Sequence, residues 1–238
     1  MNAFNELLGV IRLAKFHLER IKVPVLEKDI FISLLYFRIL DFSENFTNLA
    51  QQNLSPGIFN LVVRNILESS AKQELLIKSP SSLINLQFEE IARELEIIHA
   101  FSLEKDPQFI SGDGQIYLTN LRETYRKLTK QNVKTIGPKE IFQIIGAIEL
   151  HSTLYKHLCQ SAHSAMNALT SEYSHTDSER VEFCFEPFPK KSLNEIFPHV
   201  HSVGIFLLVS SIHTHEYFKT KLEGDFRGLY ETFKEITT

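Results

Sequence analysis

The chain has 238 residues, of which 43% are hydrophobic and 23% are charged, and its formal net charge is −4. This length and composition are typical of a globular protein with a sizeable core. The acidic balance provides no general field that attracts nucleic acid, so contact with RNA or DNA requires a local basic patch. It therefore argues against a dedicated nucleic-acid-binding protein, while an enzyme that acts on a nucleic acid stays open.

The cysteine content, the N-terminal segment and the length of the longest apolar run predict a soluble, cytoplasmic protein. Cys159 and Cys184 are the only cysteines and form no Cys-x-x-Cys spacing, which argues against a zinc ribbon or a disulfide scaffold. The N-terminal segment "MNAFNELLGVIRLAKFHLERIKVP" carries charge throughout and predicts a helix rather than a signal peptide. The longest apolar run, "VGIFLLV" at 203–209, is far shorter than the roughly 20 residues of a membrane span.

Helical periodicity dominates the chain, with breaks where proline and glycine cluster. Because each break is short, neighbouring helices are expected to pack antiparallel in a bundle without membrane contact. No internal repeat or long linker divides the sequence, so residues 1–238 are predicted to form a single domain. The predicted helices span 2–22, 26–53, 56–78, 82–105, 114–130, 138–173, 192–220 and 225–236.

One segment departs from the helical pattern. Between 176 and 190, Val181, Phe183 and Phe185 alternate with polar or small residues, and this period of two is typical of a strand. The predicted fold class is therefore all-α, a single-domain helical bundle with a short extended or β segment near 180–188.

The helix that ends near residue 173 has one apolar and one polar side. His163 lies on the polar side, which is either an ordinary solvated face or a groove where an imidazole with a pKa near ~6.5 acts as acid or base. Cys159 and Met166 beside that face favour partial burial. The apolar seam consists of Leu154, Leu158, Ala162, Ala165 and Leu169, and the polar side also carries Lys156, Gln160, Asn167 and Thr170.

Arg64 and Glu68 form a second candidate pair. They are four residues apart and share a helical stripe with Leu61, Ala71 and Leu75. Charges in an apolar stripe need partners, and removing Glu68 from a fully buried pair is expected to cost about 3–5 kcal/mol. The pair is either an internal ion pair that fixes helix register, or Glu68 orients the Arg64 guanidinium toward an anion such as phosphate.

The remaining histidine pairs predict no metal site. The pairs "HVH" at 199 and "HTH" at 213 have a spacing of two, which points the side chains about 200° apart on a helix. The nucleophile elbow, the phosphate-binding loop and the dinucleotide fingerprint are missing from the sequence. We therefore expect neither a metal nor a cofactor.

Three segments together resemble the HEPN-like helical proteins, in particular a poorly characterised bacterial branch. They are "VVRNILESSAKQELL", "LYKHLCQSAHSAMNALTSEY", and the pair "VGIFLLVSSIHTHEYFKTKL" and "GLYETFKEI". The resemblance covers roughly residues 25–236. It implies an all-helical bundle, a homodimer and, as in many members, metal-independent RNA cleavage in stress or phage defence.

The nuclease signature of that superfamily is an arginine followed four to six residues later by a histidine on one helix. His163 matches the histidine, whereas Lys156 and His157 stand where the arginine is expected, so Arg64 from another helix is the candidate for the missing charge. The resemblance makes His163 and Arg64 the predicted catalytic residues of an endoribonuclease. The alternative is a non-catalytic helical protein that binds a protein partner or a ligand through the same groove. The predicted supporting residues are Glu68, Lys156, Gln160 and Asn167.

Overall fold

The computed structural model describes residues 3–52, 56–100, 112–162, 174–177, 180–183 and 193–235, and they form an all-α helical bundle, as predicted. Short 3₁₀ turns cover Leu18–Arg20 and Pro80–Ser82, and a helical turn at Ile148–Leu150 leads into a π-helical turn at His151–Tyr155. The α-helices are α1 (Ala3–His17), α2 (Glu27–Ala50), α3 (Pro56–Lys78), α4 (Leu83–Ala100), α5 (Asp113–Lys130), α6 (Pro138–Ile144), α7 (Lys156–Ala162), α8 (Leu193–Tyr217) and α9 (Glu223–Glu235).

Helix α8 is the centre of the bundle, and it packs against α1, α2, α3 and α9. Val203 and Leu207 are among its fully buried apolar side chains. Its buried polar groups have partners on two neighbouring helices. Ser211 Oγ lies 2.9 Å from Tyr36 Oη, Gln73 Nε2 donates to Thr214 Oγ1 at 2.9 Å, and Ser210 Oγ donates to Ser70 Oγ at 3.1 Å.

The same helix is long and apolar enough, by length and composition alone, to cross a membrane. The qualifying segment is Ile196–Tyr217, and half of it is buried inside the bundle. The sequence analysis counted only the uninterrupted run at 203–209. Further apolar residues on both sides of this run, among them Ile196, Val200 and Ile212, keep the mean hydropathy high along the helix.

A close approach sets the contact between α8 and α9. A Cβ atom added at Gly204 would lie only 2.3 Å from Cζ of Phe233, far inside van der Waals contact. The Phe233 ring also stacks on His201, with ring centroids 6.1 Å apart. The absence of a side chain at residue 204 therefore allows the Phe233 ring to be buried against α8.

The prediction of one continuous helix over 138–173 is wrong. Helix α6 ends at Ile144, and Gly146 follows with a φ of +80°, a left-handed conformation that favours glycine. Gly146 N donates to Gln143 O at 3.1 Å and Ala147 N donates to Phe142 O at 2.8 Å, which is the Schellman pattern of a helix end. The helical path then resumes at Ile148 and is described as far as Ala162.

The extended segment is a hairpin rather than a lone strand. Strand β1 (Ser174–Asp177) pairs antiparallel with β2 (Arg180–Phe183), and Ser174 is opposite Phe183. The alternation predicted β2, but β1 is four polar residues and carries no hydrophobic signal. The rest of the predicted segment, 184–188, lies outside the described residues.

Helices α4 and α5 form a hairpin with a small core of its own. Ile98 of α4 and Leu118 and Leu121 of α5 make up this core, separate from the main one. Phe88 and Tyr125 stack across the hairpin with ring centroids 5.1 Å apart. Surface changes on α5 are therefore remote from the central packing around α8.

Two histidines meet where α1, α8 and α9 join. His215 is fully buried, its Nδ1 lies 2.8 Å from Thr220 Oγ1, and its ring stacks on Phe226 at 5.0 Å. The His17 ring stands edge-on to it at 6.0 Å, and His17 Nε2 lies 3.3 Å from Asp225 Oδ2. Burial, with the nearby His17, lowers the pKa of His215 to about 4.

This depressed pKa predicts a specific acid sensitivity. The folded protein holds His215 neutral, whereas the unfolded chain protonates it near pH 6.5, so stability present above pH 6.5 is lost as the pH falls toward 4. The loss attributable to His215 is up to about 3 kcal/mol. Urea denaturation across this range should give a flatter pH profile for His215→Gln than for the native chain. The exposed His157 provides the control, since His157→Gln should keep the native slope; equal slopes for all three proteins would contradict the assignment.

Candidate functional site

The ion pair expected between Arg64 and Glu68 is present on α3. Arg64 Nε donates a hydrogen bond to Glu68 Oε1 at 2.9 Å, one helical turn away. This single bond leaves both terminal guanidinium nitrogens without a hydrogen bond to any described residue. The guanidinium is therefore oriented by one carboxylate while its outer edge stays available.

The pair lies at the edge of the core, and the predicted stripe is only partly right. Ala71 and Leu75 are buried, but Leu61 is 47% exposed. The side chains of Arg64 and Glu68 are 22% and 30% exposed. The buried side of α3 is the one that carries Phe59, Val63, Ile66 and Leu67, and the charged pair borders it.

Tyr155 completes the arrangement from the π-helical turn that precedes α7. Its hydroxyl donates to the same Glu68 Oε1 at 2.9 Å, and its ring centroid lies 5.8 Å from Arg64 Cζ, a cation–π distance. Burial raises the pKa of Tyr155, and the charge of Glu68 raises it further, so the phenol stays protonated as a donor. Glu68 thus joins α3 to the segment that leads toward His163.

The charge state of Arg64 is fixed by these neighbours. Burial works against the charged guanidinium, but the hydrogen bond and charge of Glu68, with Cys159 and Tyr155 nearby, raise the pKa of Arg64. Tyr155 is beside Glu68, and Cys159 is close enough to act on Arg64. Since the later residue of α7 meets the earlier residue of α3, α7 runs antiparallel to α3.

The pair opens on a cavity of about 170 Å³ between α3, α4 and α6. Lys72 also lines it and makes no ion pair with any described carboxylate. Arg93 of α4 donates to Glu89 Oε1 at 2.7 Å, and the buried Glu89 Oε2 accepts no hydrogen bond from the described residues. Three cations and two carboxylates give the lining a formal charge of +1. Its apolar side is formed by Ala71, Pro138, Ile141 and Phe142.

Two of the other predicted site residues, both on α7, do not line this cavity. Lys156 and Gln160 are exposed on α7 and are not among its lining residues. His163 and Asn167 lie outside the described residues, and α7 is described up to Ala162, the residue that precedes His163. Of the predicted set, the structure brings together Arg64 and Glu68.

The cavity also contains residues that the sequence analysis missed. Tyr155 and Arg93 belong to other elements than Arg64, so no local spacing connects them with it. Lys72 follows Arg64 and Glu68 on α3 at intervals of four residues, a helical spacing that the sequence already contained. For Arg93 the sequence also contains a signal, because His99 follows it six residues later. The arginine-to-histidine spacing was considered only around His163. Arg93 lines the Arg64 cavity, whereas His99 lines a separate cavity between α4 and α5.

The histidine pairs of α8 face different neighbours. His199 Nε2 lies 2.7 Å from Asn60 Oδ1, while His201 stacks on Phe233. His213 Nδ1 pairs with Glu74, while His215 is buried beside Thr220. Within the described residues, no group of three or more histidine, cysteine or acidic side chains is placed to hold a metal ion.

The shared acceptor predicts how the site responds to mutation. Glu68→Ala should destabilise the protein by about 1–2 kcal/mol, because Arg64 and Tyr155 lose their common partner at a partly exposed position. This is less than the cost expected for a fully buried pair. Tyr155→Phe removes only one hydrogen bond and should cost about 0.5–1.5 kcal/mol.

A double-mutant cycle measured by urea denaturation separates the two bonds. Because the Tyr155 hydroxyl has no Glu68 acceptor once the carboxylate is gone, the double variant should be less destabilised than the sum of the single variants. Additive effects would show that Tyr155 and Glu68 do not interact in solution.

Comparison with known proteins places the chain in a family without assigning it an activity. A family of unknown function, DUF5677, matches residues 29–181, well over half of the sequence. No curated protein sequence and no solved structure matches the chain. The matched segment includes Arg64, Glu68, Tyr155 and His163. The chain therefore belongs to the family of unknown function DUF5677.

Proposed function

We propose that this protein is a HEPN-like, metal-independent endoribonuclease in which Arg64 binds the phosphate and His163 transfers protons. One observation carries the proposal. The Arg64 guanidinium is oriented by Glu68, which in turn accepts a hydrogen bond from Tyr155, on the same chain segment that leads to His163. This supports the proposal because Glu68 links Arg64 to Tyr155, which precedes His163 by eight residues in the sequence.

Size and charge of the cavity support a phosphodiester as the bound group. A volume of about 170 Å³ accommodates a phosphate group and a few neighbouring atoms. Arg64 presents its outer edge, and Lys72 provides a second cation that no described carboxylate neutralises. Arginine suits this role because its planar donors match phosphate oxygens in a forked geometry.

The proposed reaction needs only protein side chains. His163 takes the proton from a ribose 2′-hydroxyl, and the resulting oxygen attacks the adjacent phosphorus. The bond from phosphorus to the 5′-oxygen breaks, and this leaving oxygen takes up a proton from solvent, while His163 later releases the proton that it accepted. Arg64 stabilises the charge that develops on the phosphoryl oxygens. The products are a 2′,3′-cyclic phosphate and a free 5′-hydroxyl.

Cleavage of labelled RNA tests the assignment. His163→Ala should lower the rate roughly 10²- to 10⁴-fold, the range for loss of one general acid or base, and the native activity should persist in EDTA. His157→Ala is the matched control, an exposed histidine of α7 outside the cavity, and should keep native activity. Cleavage that ends on a linear phosphate, or that EDTA abolishes, would contradict the mechanism.

The second candidate function is non-catalytic ligand binding in the same cavity. The buried Glu89 Oε2, which accepts no hydrogen bond from a described residue, favours a ligand with a hydroxyl or amino donor beside its anionic group. Under this alternative, the protein cleaves no RNA of any sequence or structure. Calorimetry detects binding of a phosphorylated small molecule to the native protein but not to Arg64→Ala.

We also propose that the protein is a cytoplasmic homodimer acting in stress or phage defence. The outer face of α2 supports association, because Ile30, Leu34 and Phe37 follow one another at helical spacing and are each at least 40% exposed. A second copy that buried this stripe would form a symmetric contact.

Light scattering at micromolar concentration measures the association directly. The expected mass is twice the 27.5 kDa of one chain, and Leu34→Glu should give the single-chain mass because it puts a charge into the shared face. Glu44→Ala on the same helix should leave the dimer intact, because Glu44 bonds to Lys15 of its own chain. A single-chain mass for the native protein would exclude the dimer.

A further inference from the structure

Positive charge is concentrated on the solvent face of α5. Leu118, Leu121 and Leu128 point into the bundle or the hairpin, and the opposite side of the helix is exposed. That side carries Arg126, Lys127 and Lys130, with Glu123 one helical turn before Lys127, and Lys134 follows in the next exposed segment. The four basic residues are called the α5 basic face.

This concentration stands against the charge of the whole protein. Residues 113–134 contain five basic side chains and two acidic ones, Asp113 and Glu123, a local charge of +3. The complete chain has a net charge of −4, so the remainder carries −7. A segregated positive surface in an acidic protein is the electrostatic footprint expected of a polyanion-binding site.

The four basic residues are not committed to internal ion pairs. None of them bonds to a carboxylate among the described residues, whereas Arg93 on the neighbouring α4 is paired with Glu89. Lysine and arginine that lack carboxylate partners can neutralise phosphates and release their counterions. The partner most complementary to this face is therefore a phosphate backbone.

The surroundings of the face argue for backbone contact rather than base recognition. Tyr125 is the aromatic residue nearest to it in sequence, and its ring is stacked on Phe88 inside the hairpin. A ring held in this way is not presented to an unstacked base. Contacts from lysine and arginine to phosphate oxygens carry no direct sequence information.

We propose that the α5 basic face binds the sugar-phosphate backbone of RNA without sequence preference and recruits substrate for the Arg64 site. This inference rests on the proposed ribonuclease function. The face and the Arg64 cavity are separate surfaces, because on α4 Arg93 lines the cavity while Ile98 packs toward α5. Charge changes on α5 consequently leave the cavity lining unaltered.

Fluorescence anisotropy with a labelled 20-nucleotide single-stranded RNA measures the binding, using full-length chains that carry His163→Ala so that the RNA stays intact. The test variant adds Lys127→Gln and Lys130→Gln. The matched control adds Arg20→Gln and Lys22→Gln, which removes the same charge from exposed positions beside α1. Each protein is titrated at salt concentrations from 50 to 200 mM.

Four phosphate contacts give a slope of log K against log salt of about −3, so affinity should fall about 50-fold over this range for the parent and for the control. Two remaining contacts give a slope of about −1.4 and a fall of about 7-fold for the test variant. Equal slopes for the test and control variants, or no RNA binding by the parent at 50 mM salt, would overturn the proposal.

Cleavage assays on the chains with His163 restored separate this proposal from the ribonuclease itself. RNA binding that depends on the α5 basic face, without any cleavage, would support the proposed binding surface and contradict the proposed ribonuclease function. Cleavage of RNA, together with a salt slope that Lys127→Gln and Lys130→Gln do not change, would support the ribonuclease. It would exclude the α5 basic face as the RNA-binding surface. Loss of both α5-dependent binding and efficient cleavage in the test variant is the outcome expected if the two surfaces work together.

Discussion

The rest of the bundle depends on the hydrogen bonds that satisfy the buried polar groups between α8 and its neighbours α2 and α3. Each hydroxyl that enters the core without a partner costs about 1–3 kcal/mol. The hydroxyl of Tyr36 on α2 and the amide of Gln73 on α3 avoid this cost by bonding to Ser211 and Thr214. The hydroxyls of Ser211 and Thr214 themselves donate to carbonyls of α8. Apolar packing tolerates small shifts, but these directional bonds fix the rotation and height of α2 and α3 against α8.

The position of the candidate site follows from that register. With one side of α3 held against α8, its border is left to meet α4, α6 and the π-helical turn before α7. Arg64, Glu68 and Lys72 lie on this border, where a charge retains some contact with solvent and the protein supplies oriented partners. A burial intermediate between core and surface suits an anion-binding residue, because full burial demands neutralisation and full exposure weakens the attraction.

Sequence predicted what depends on local periodicity and missed what depends on tertiary contacts. The helix positions and the Arg64 and Glu68 pair follow from spacings within one helix. The break at Gly146 was missed because a glycine inside an apolar run is also compatible with a continuous helix. Tyr155 and Arg93 were missed because only the packing of separate elements brings them to the cavity. Lys72 lies at helical spacing from Arg64 and Glu68, but spacing alone does not show that a cavity opens beside them. Leu61 was assigned to the buried stripe but is exposed, because residue spacing alone does not show which side of α3 packs against the neighbouring helices.

The segment matched by the family contains only part of the chain that builds the core. The match covers 29–181 and so contains α2 and α3, whereas α8, which completes their buried faces, begins at Leu193. A clone trimmed to the matched boundaries would keep Arg64, Glu68, Tyr155 and His163. It would also expose the ring of Tyr36 and the amide of Gln73, together with the apolar side chains around them, to water. The matched segment is therefore shorter than the folded unit, and a protein truncated for expression should still include α8.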